Sequence, residues 1–416
     1  MKVKLVQDSW RQMEAALMNR IHFVCLFLCL TFVARPAHSQ TETVLYNFGG
    51  SPDGANPASS LTTDGKGNFY GTTLGGGEFG GGTVYQLSPN GNGGWNETVL
   101  YNFCSVAPFC SDGQSPDGPV TLDNLGNLYG TTEGGGTSQY GYGLVFELSP
   151  MGAGWKETVL HDFGDVGYYP KGRLIFDRVG NLYGMAGVVF ELSPNGSGGW
   201  MVQTIYNGAN EGDYYEGMTM DSSGNIFGVT NNPFTGVPES AVFELSPNGD
   251  GGWNQKVIYS HAAGRNGFFW MTAPVLGPDG NLYGTTMSGT AYKGHEAVYK
   301  ITLETKGKKM GNWTEKVIYS FPLFNLAQKR VYPLSPGVLL DKSGNIYGST
   351  VLGVQSVYEL TPASKSSYTE STVWTFNGTD GSDPLGTLTL DSAGNLYGTT
   401  QYGGSFGGGV VFEVAP

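Results

Sequence analysis

The stretch Asp123-Asn124-Leu125-Gly126-Asn127-Leu128-Tyr129-Gly130-Thr131-Thr132 decides the fold, because its core, Gly-Asn-aliphatic/Phe-Tyr/Phe-Gly, occurs seven times in the chain. The seven asparagines are Asn68, Asn127, Asn181, Asn225, Asn281, Asn345 and Asn395. They stand 44 to 64 residues apart. That is too long for leucine-rich or ankyrin repeats and fits a four-stranded propeller blade of roughly 40–50 residues with variable loops. In the second copy four β-type segments cover residues 119–122, 127–132, 143–149 and 157–163. Their Val, Tyr, Phe and Thr content, bounded by Gly, Pro and Asn clusters, is a strand signal. Asp123 followed by Gly126-Asn127 supplies an Asx residue and a glycine for the hairpin joining the first two segments. Asp64, Asp177, Asp221, Asp341 and Asp391 repeat the device, while the fifth copy has Gly277 at that place and Asp279 nearby.

The third segment recurs as Phe146-Glu147-Leu148-Ser149-Pro150 and at residues 190–194, 243–247 and 358–362. Alternation puts Phe and Leu on one face and Glu on the other. A Gly-rich turn then leads to Trp155, Trp200, Trp253 or Trp313. A residue repeated in nearly every copy is read as inter-blade packing rather than as a sugar platform. Glu42-Thr43-Val44-Leu45-Tyr46-Asn47-Phe48 matches a fourth segment, whereas residues 410–416 match a third. The last unit lacks its outer strand and the N-terminus supplies a spare one. Joining them closes a ring and removes its open edges. The expectation is an all-β, seven-bladed β-propeller with four antiparallel strands per blade, closed by the N-terminal strand.

Composition agrees. Of 416 residues, 67 are Gly and 14% are charged, against roughly 7% and 25% in an average globular protein, which disfavours helical bundles. The 24 Tyr, 22 Phe and 8 Trp supply more burial than a disordered chain has. A formal charge of −13 leaves no broad basic face for nucleic acid or for an anionic membrane.

Residues 1–39 read as a leader. Met18-Asn19-Arg20 is a basic start, residues 21–33 are apolar, and Ala37-His38-Ser39 is a small-x-small cleavage site. Translation is expected to start at Met18, since residues 1–17 lack signal character. The apolar run is shorter than the roughly 20 residues a span needs, so no span is expected in the mature chain. Residues 40–416 are expected to form one exported domain, periplasmic, secreted or at the cell surface. Export leaves Cys104 and Cys110 as the cysteines of the mature chain, and a disulfide between them is expected in an oxidising compartment. A metal pair is the alternative.

The sequence Asp391 to Val414, Asp-x-x-Gly-Asn-Leu-Tyr-Gly-Thr-Thr followed by a Gly-rich loop and Val-Val-Phe-Glu-Val, resembles the GloVer tandem repeat of secreted bacterial proteins. The resemblance covers nearly everything after Gln40 and implies no catalytic residues. That family's C-terminal anchoring tail has no counterpart after these repeats, so attachment through such a tail is not expected.

Catalytic patterns are scarce. His161, His261 and His295 show no zinc-ligand spacing. Residues 75–82 lack the Lys-Ser/Thr ending of a phosphate loop. Too few carboxylates converge in one Asp-x-x-Gly-Asn turn for a calcium site, so no cofactor is expected. What recurs in each blade is read as scaffold, and what differs as the seat of function. First-to-second and third-to-fourth turns share one rim. The variable second-to-third and fourth-to-first loops, at residues 104–119, 228–240, 261–274, 285–297 and 321–336, share the other, which is the expected binding face.

Trp270, Arg265 and Tyr292 lead the candidate ligand contacts, with His261, His295, Lys293, Tyr168 and Tyr215 beside them. A flat apolar face beside a cation and a hydroxyl suits a glycan or a peptide. Tyr140, Tyr142, Tyr169, Tyr214, Phe234, His161 and Arg330 belong to the same loops or their flanks. The expected function is a noncatalytic, monomeric binding propeller. The alternative is a carbohydrate-active enzyme, a polysaccharide lyase or glycoside hydrolase, with its site on the same rim. Two of the His, Arg and Lys groups meeting at one point would favour the enzyme.

Overall fold

In every blade the second strand carries the signature's final glycine as its third residue, and the next strand places an aromatic ring directly across from it. Gly130 pairs with Phe146, and a Cβ on Gly130 would stand 2.5 Å from the tip of that ring. Gly71 with Tyr85, Gly184 with Phe190, Gly228 with Phe243, Gly284 with Tyr299, Gly348 with Tyr358 and Gly398 with Phe412 repeat the fit. Only glycine lets a large ring lie flat over its neighbouring strand, and these rings are among the most buried side chains of the protein.

The computed structural model describes residues 40–138, 140–164, 167–207, 217–232, 239–262, 270–287, 297–306, 311–321, 337–351, 354–364 and 367–415. Among them every regular element is a β-strand. Seven antiparallel blade sheets follow one another, with one small two-stranded sheet between loops. The second blade has strands Thr121–Leu122, Leu128–Thr132, Leu144–Met151 and Gly154–Asp162, in that order from the axis outward. Its inner strand is the shortest, as in most blades. In the fifth blade Trp270–Met271 adds a second short piece beside Val275–Leu276. The N-terminal strand Thr41–Asn47 pairs with Val410–Ala415, from Thr41 opposite Ala415 to Asn47 opposite Val410. The last blade is thus completed by the start of the domain.

The third strands bury alternate residues as expected, Phe146 and Leu148 fully and Glu147 only partly. Val145 on the opposite face is also fully buried, because each blade is sandwiched between two others. The fourth strand carries one extra residue at the same place in all seven blades. Such a bulge bends the outer strand and sharpens its twist. At that place Leu45, Ile205, Ile258, Ile318 and Val373 enter the core.

Seams between blades are aromatic. Trp200 packs on Tyr129, Trp253 on Tyr183 and Trp313 on Phe227, with centroids 6.4, 5.6 and 5.8 Å apart. Trp155 joins the cluster holding Tyr70. The repeated tryptophans are therefore inter-blade packing groups.

Candidate functional site

The two rims follow from the hairpins. Asp123 Oδ1 accepts from the amides of Leu125 and Asn127, at 2.8 Å each, and its Oδ2 accepts from Asn127 Nδ2 at 2.9 Å. Asp391 makes the same bonds. Gly67, Gly224 and Gly344 of these turns lie beside Pro89, Pro247 and Pro362 of the third-to-fourth turns, so both sets share one rim. The fifth copy rebuilds the turn from Asp279, which accepts from Tyr283 Oη at 2.8 Å and Lys300 Nζ at 2.7 Å. Burial would raise the Asp279 pKa, but Lys300, Tyr283 and Asn281 bring it down to about 2.

On the other rim the second-to-third loop of a blade meets the preceding fourth-to-first loop. Gly54–Ala55 pairs with Gly75–Gly76, Gln114 bridges Gly134, and Ser382 bridges Tyr402. The Cys104–Cys110 disulfide closes part of the loop leading into blade two. Within that loop Asp112 is nearly fully buried and accepts from the Ser105 amide at 2.8 Å and from Tyr101 Oη at 3.1 Å.

A cavity of about 410 Å³ lies on the ring axis, lined by the residues through which each blade enters its inner strand, among them Ser60, Asp117, Arg173, Thr219, Ala273, Gly337 and Thr387. These follow the fourth-to-first loops, so the cavity belongs to the loop-rim half of the channel. Its charges come from blades two and three. Lys171 Nζ stands 3.2 Å from Glu133 and 3.8 Å from Asp117, each side chain keeping a quarter to two-fifths of its surface exposed. Burial and then Glu133 push the Asp117 pKa up, against the pull of Lys171. Arg173 Nη1 reaches Thr62 Oγ1 at 3.1 Å and the Val120 carbonyl at 3.3 Å, so one side chain ties blades one, two and three together. Threonines stitch the inner wall elsewhere, as in Thr389 Oγ1 to the Leu61 carbonyl at 2.8 Å across the closure.

Beside this charged corner lie four tyrosines. Tyr140 and Tyr142 stack with centroids 5.3 Å apart and planes 17° from parallel. Tyr168 and Tyr169 meet Tyr142 at 6.3 and 5.6 Å. Pro170 and Lys171 follow Tyr169 directly, so the cluster adjoins the segment that carries the charged corner. Tyr140 and Tyr169 remain exposed.

Of the candidate contacts read from sequence, Tyr168 is in this cluster. Arg265, Tyr292, Lys293, His295 and Tyr215 lie outside the described residues, as do Tyr214, Phe234, Arg330 and the leader. Trp270 and His261 are described in backbone only, Trp270 opposite Met287 and His261 opposite Ser240. His161 stands in an outer strand, its ring edge-on to Phe163 at 4.7 Å and its Nε2 buried with no hydrogen-bond partner among the described residues. Burial lowers its pKa.

Asp117, Glu133, Lys171 and Arg173 were not singled out by the sequence reading. The signal for Asp117 and Lys171 lay in aligning the approach to each inner strand, where they replace the uncharged Ala58 and Leu385 of other blades. Among the described residues no group of three or more His, Cys, Asp or Glu side chains is arranged to hold a metal, and no helix is long and apolar enough to cross a membrane.

The same architecture occurs in PorZ, an essential surface component of the type-IX secretion system of Porphyromonas gingivalis. It is 14% identical with a TM-score of 0.51, over 89% of this chain and 48% of PorZ. The chain thus spans about half the length of PorZ. The periplasmic gluconolactonase PpgL of Pseudomonas aeruginosa is 12% identical, TM-score 0.49, over 79% and 86% of the two chains. A Lactobacillus plantarum protein is 14% identical, TM-score 0.48, over 84% and 99%. At these identities the likeness is one of fold. No curated protein matches the sequence. The Gloeobacter/Verrucomicrobia repeat matches residues 31–186 and 270–416, well over half of the chain, and the protein belongs to that repeat family.

Proposed function

We propose that this is an exported, noncatalytic binding propeller whose ligand, a glycan or a peptide, sits on the loop rim over the axial cavity. The observation that carries the reading is the cavity's unlike lining, with Asp117, Lys171 and Arg173 on one side and uncharged residues from the other blades opposite. One small ligand or chain end is recognised by a few unlike groups aimed at one place. Lys171 is already paired with the Asp117 and Glu133 carboxylates, and this triad holds no hydroxyl or thiol nucleophile, which favours binding over nucleophilic catalysis. Trp270, Arg265 and Tyr292, with His261, His295, Lys293, Tyr168 and Tyr215, are the proposed further contacts.

Glycan and peptide arrays probed with the protein, with Lys171→Ala and with Trp270→Ala test this. Hits weakened at least tenfold by either substitution support the loop rim. Hits untouched by both but lost in a folded Asp391→Asn variant overturn it. Export is tested on periplasmic or secreted material, in which mass spectrometry is expected to find an N-terminus near Gln40 and no free thiol before reduction. A second reading, glycoside hydrolysis, draws on Asp117 in the cavity wall and Glu133 on the far side of Lys171 as an acid and base pair. Release of reducing ends from an array hit, abolished by Asp117→Asn, would replace the binder with that enzyme.

A further inference from the structure

Three consecutive blades, the last, the first and the second, display an exposed aromatic ring at the same place in their second-to-third loops. The rings are Phe406, Phe79 and Tyr140, exposed by 72%, 49% and 63%. Scattered surface aromatics need no explanation, but these share one construction. The residue at the end of each outer strand anchors the loop. Asn47 Oδ1 accepts from the Ser405 amide at 2.7 Å, Asn102 Oδ1 from the Glu78 amide at 2.9 Å, and Asp162 Oδ2 from the Thr137 amide at 2.6 Å. A left-handed glycine follows each ring directly, Gly407, Gly80 and Gly141, with φ of 80°, 77° and 60°. It turns the chain back beneath the ring, and a Cβ on Gly407 or Gly80 would meet nothing within 4 Å. Open space therefore lies beside Phe406 and Phe79 on the side of their glycines, while Tyr140 keeps one face on Tyr142 and is otherwise exposed. The third blade turns from Met185 to Val189 through Ala186-Gly187-Val188 and has no such ring.

We infer that Phe406, Phe79 and Tyr140 form an arc of stacking platforms for an extended neutral polysaccharide, lying along the loop rim across three blades. A repeating polymer suits a repeating surface, just as unlike groups suit a single small ligand. Sugar rings present flat C–H faces to aromatic rings, and several weak stackings on one chain add through effective concentration. Within residues 403–409, 75–82 and 134–143 the one charged side chain is Glu78, which disfavours a charged ligand. A protein partner is matched better by a continuous apolar patch than by single rings set among glycines. The net charge of −13 opposes anionic lipid surfaces.

The inference rests on the loop rim being the binding face, and its test separates the two. The protein is run in affinity gels and pull-downs with cellulose, chitin, xylan, mannan and β-1,3-glucan, with polygalacturonate and phosphatidylglycerol vesicles as charged controls. Retention is expected on at least one neutral polymer. Each of Phe406→Ala, Phe79→Ala and Tyr140→Ala should weaken it by about threefold to tenfold, and the triple variant should lose it with an unchanged melting curve. The single Phe79→Ala variant alone keeps the test decisive if the triple variant unfolds. Retention on no neutral polymer overturns the arc, as does retention that survives the triple substitution, or loss in the triple variant of vesicle or peptide binding only. Binding lost in Lys171→Ala but untouched in the triple variant overturns the arc while leaving the axial site standing.

Discussion

The hairpin turns of one rim are nearly interchangeable: an aspartate accepts two amides and an asparagine side chain, and a left-handed glycine closes the turn, with the fifth copy reaching the same end through Asp279 and Lys300. The loops of the opposite rim differ from blade to blade. One carries a disulfide, two share a tyrosine cluster, and those of blades two and three place the charged corner. The difference separates what holds the ring from what the ring offers. A turn built from its own backbone bonds is locally complete, whereas a loop that leans on its neighbour is free to diverge as long as the lean survives.

The comparison breaks most completely if the ring itself opens. Deleting Thr41–Phe48 removes the outer strand of the last blade and exposes the edge of Val410–Ala415. The expected result is loss of the single cooperative thermal transition, read by circular dichroism. A deletion variant that melts like the full chain would show that the closure is dispensable. Next in size, Gly130→Val drives a side chain into the Phe146 ring, and overpacking of that kind costs about 1–3 kcal/mol, measurable by urea unfolding. Gly126→Ala, where the added Cβ meets nothing but φ is 90°, should cost about 1 kcal/mol.

The tight rim is tested by Asp391→Ala, which strips the turn of its acceptor. About 1–2 kcal/mol of stability should go, while ligand binding stays within twofold of the parent. A binding loss without unfolding would blur the distinction between the rims.

The smallest effect is a pH dependence in seams near the loop rim. Burial and a facing aspartate raise three glutamates to about 7: Glu42 facing Asp380, Glu97 facing Asp53, and Glu157 facing Asp112. Tyr46 and Tyr101 share two of these seams. Unfolded glutamate releases its proton near 4.5, so between 4.5 and 7 the folded chain binds more protons than the unfolded one. Stability should therefore fall as pH rises through that window. The melting temperature should be a few degrees higher at pH 5 than at pH 8, and Glu97→Gln should flatten the slope. Partial exposure keeps the effect small.

Much of this was legible in the sequence. Seven copies of Gly-Asn-x-Tyr/Phe-Gly and two mismatched ends were enough for the ring, because blade, hairpin and closure are each encoded locally. The inter-blade role of Trp200 and Trp253 followed from repetition alone. The charged corner was not legible. Lys171 lies 38 residues from Glu133, and nothing in either segment reveals that two loops from neighbouring units converge at the axis. Tyr168 draws notice because aromatics stand out in variable loops, whereas Asp117 in Pro116-Asp117-Gly118 reads as an ordinary turn. Of the three exposed rings the sequence singles out Tyr140 alone, because Phe79 and Phe406 sit in Gly-rich loops that repeat, and repetition reads as scaffold.

The pairing of Thr41 with Ala415 also sets a timetable for making the molecule. The strand that leaves the ribosome first has to wait for the one that leaves last, so the most distant contact in the domain is also its clasp. Contacts of such separation are slow to form, and until then the first blade has no neighbour on one side and the last sheet has an open edge. Dilute surroundings or a holding chaperone at that stage would matter more to the yield of folded protein than any single residue of the finished ring.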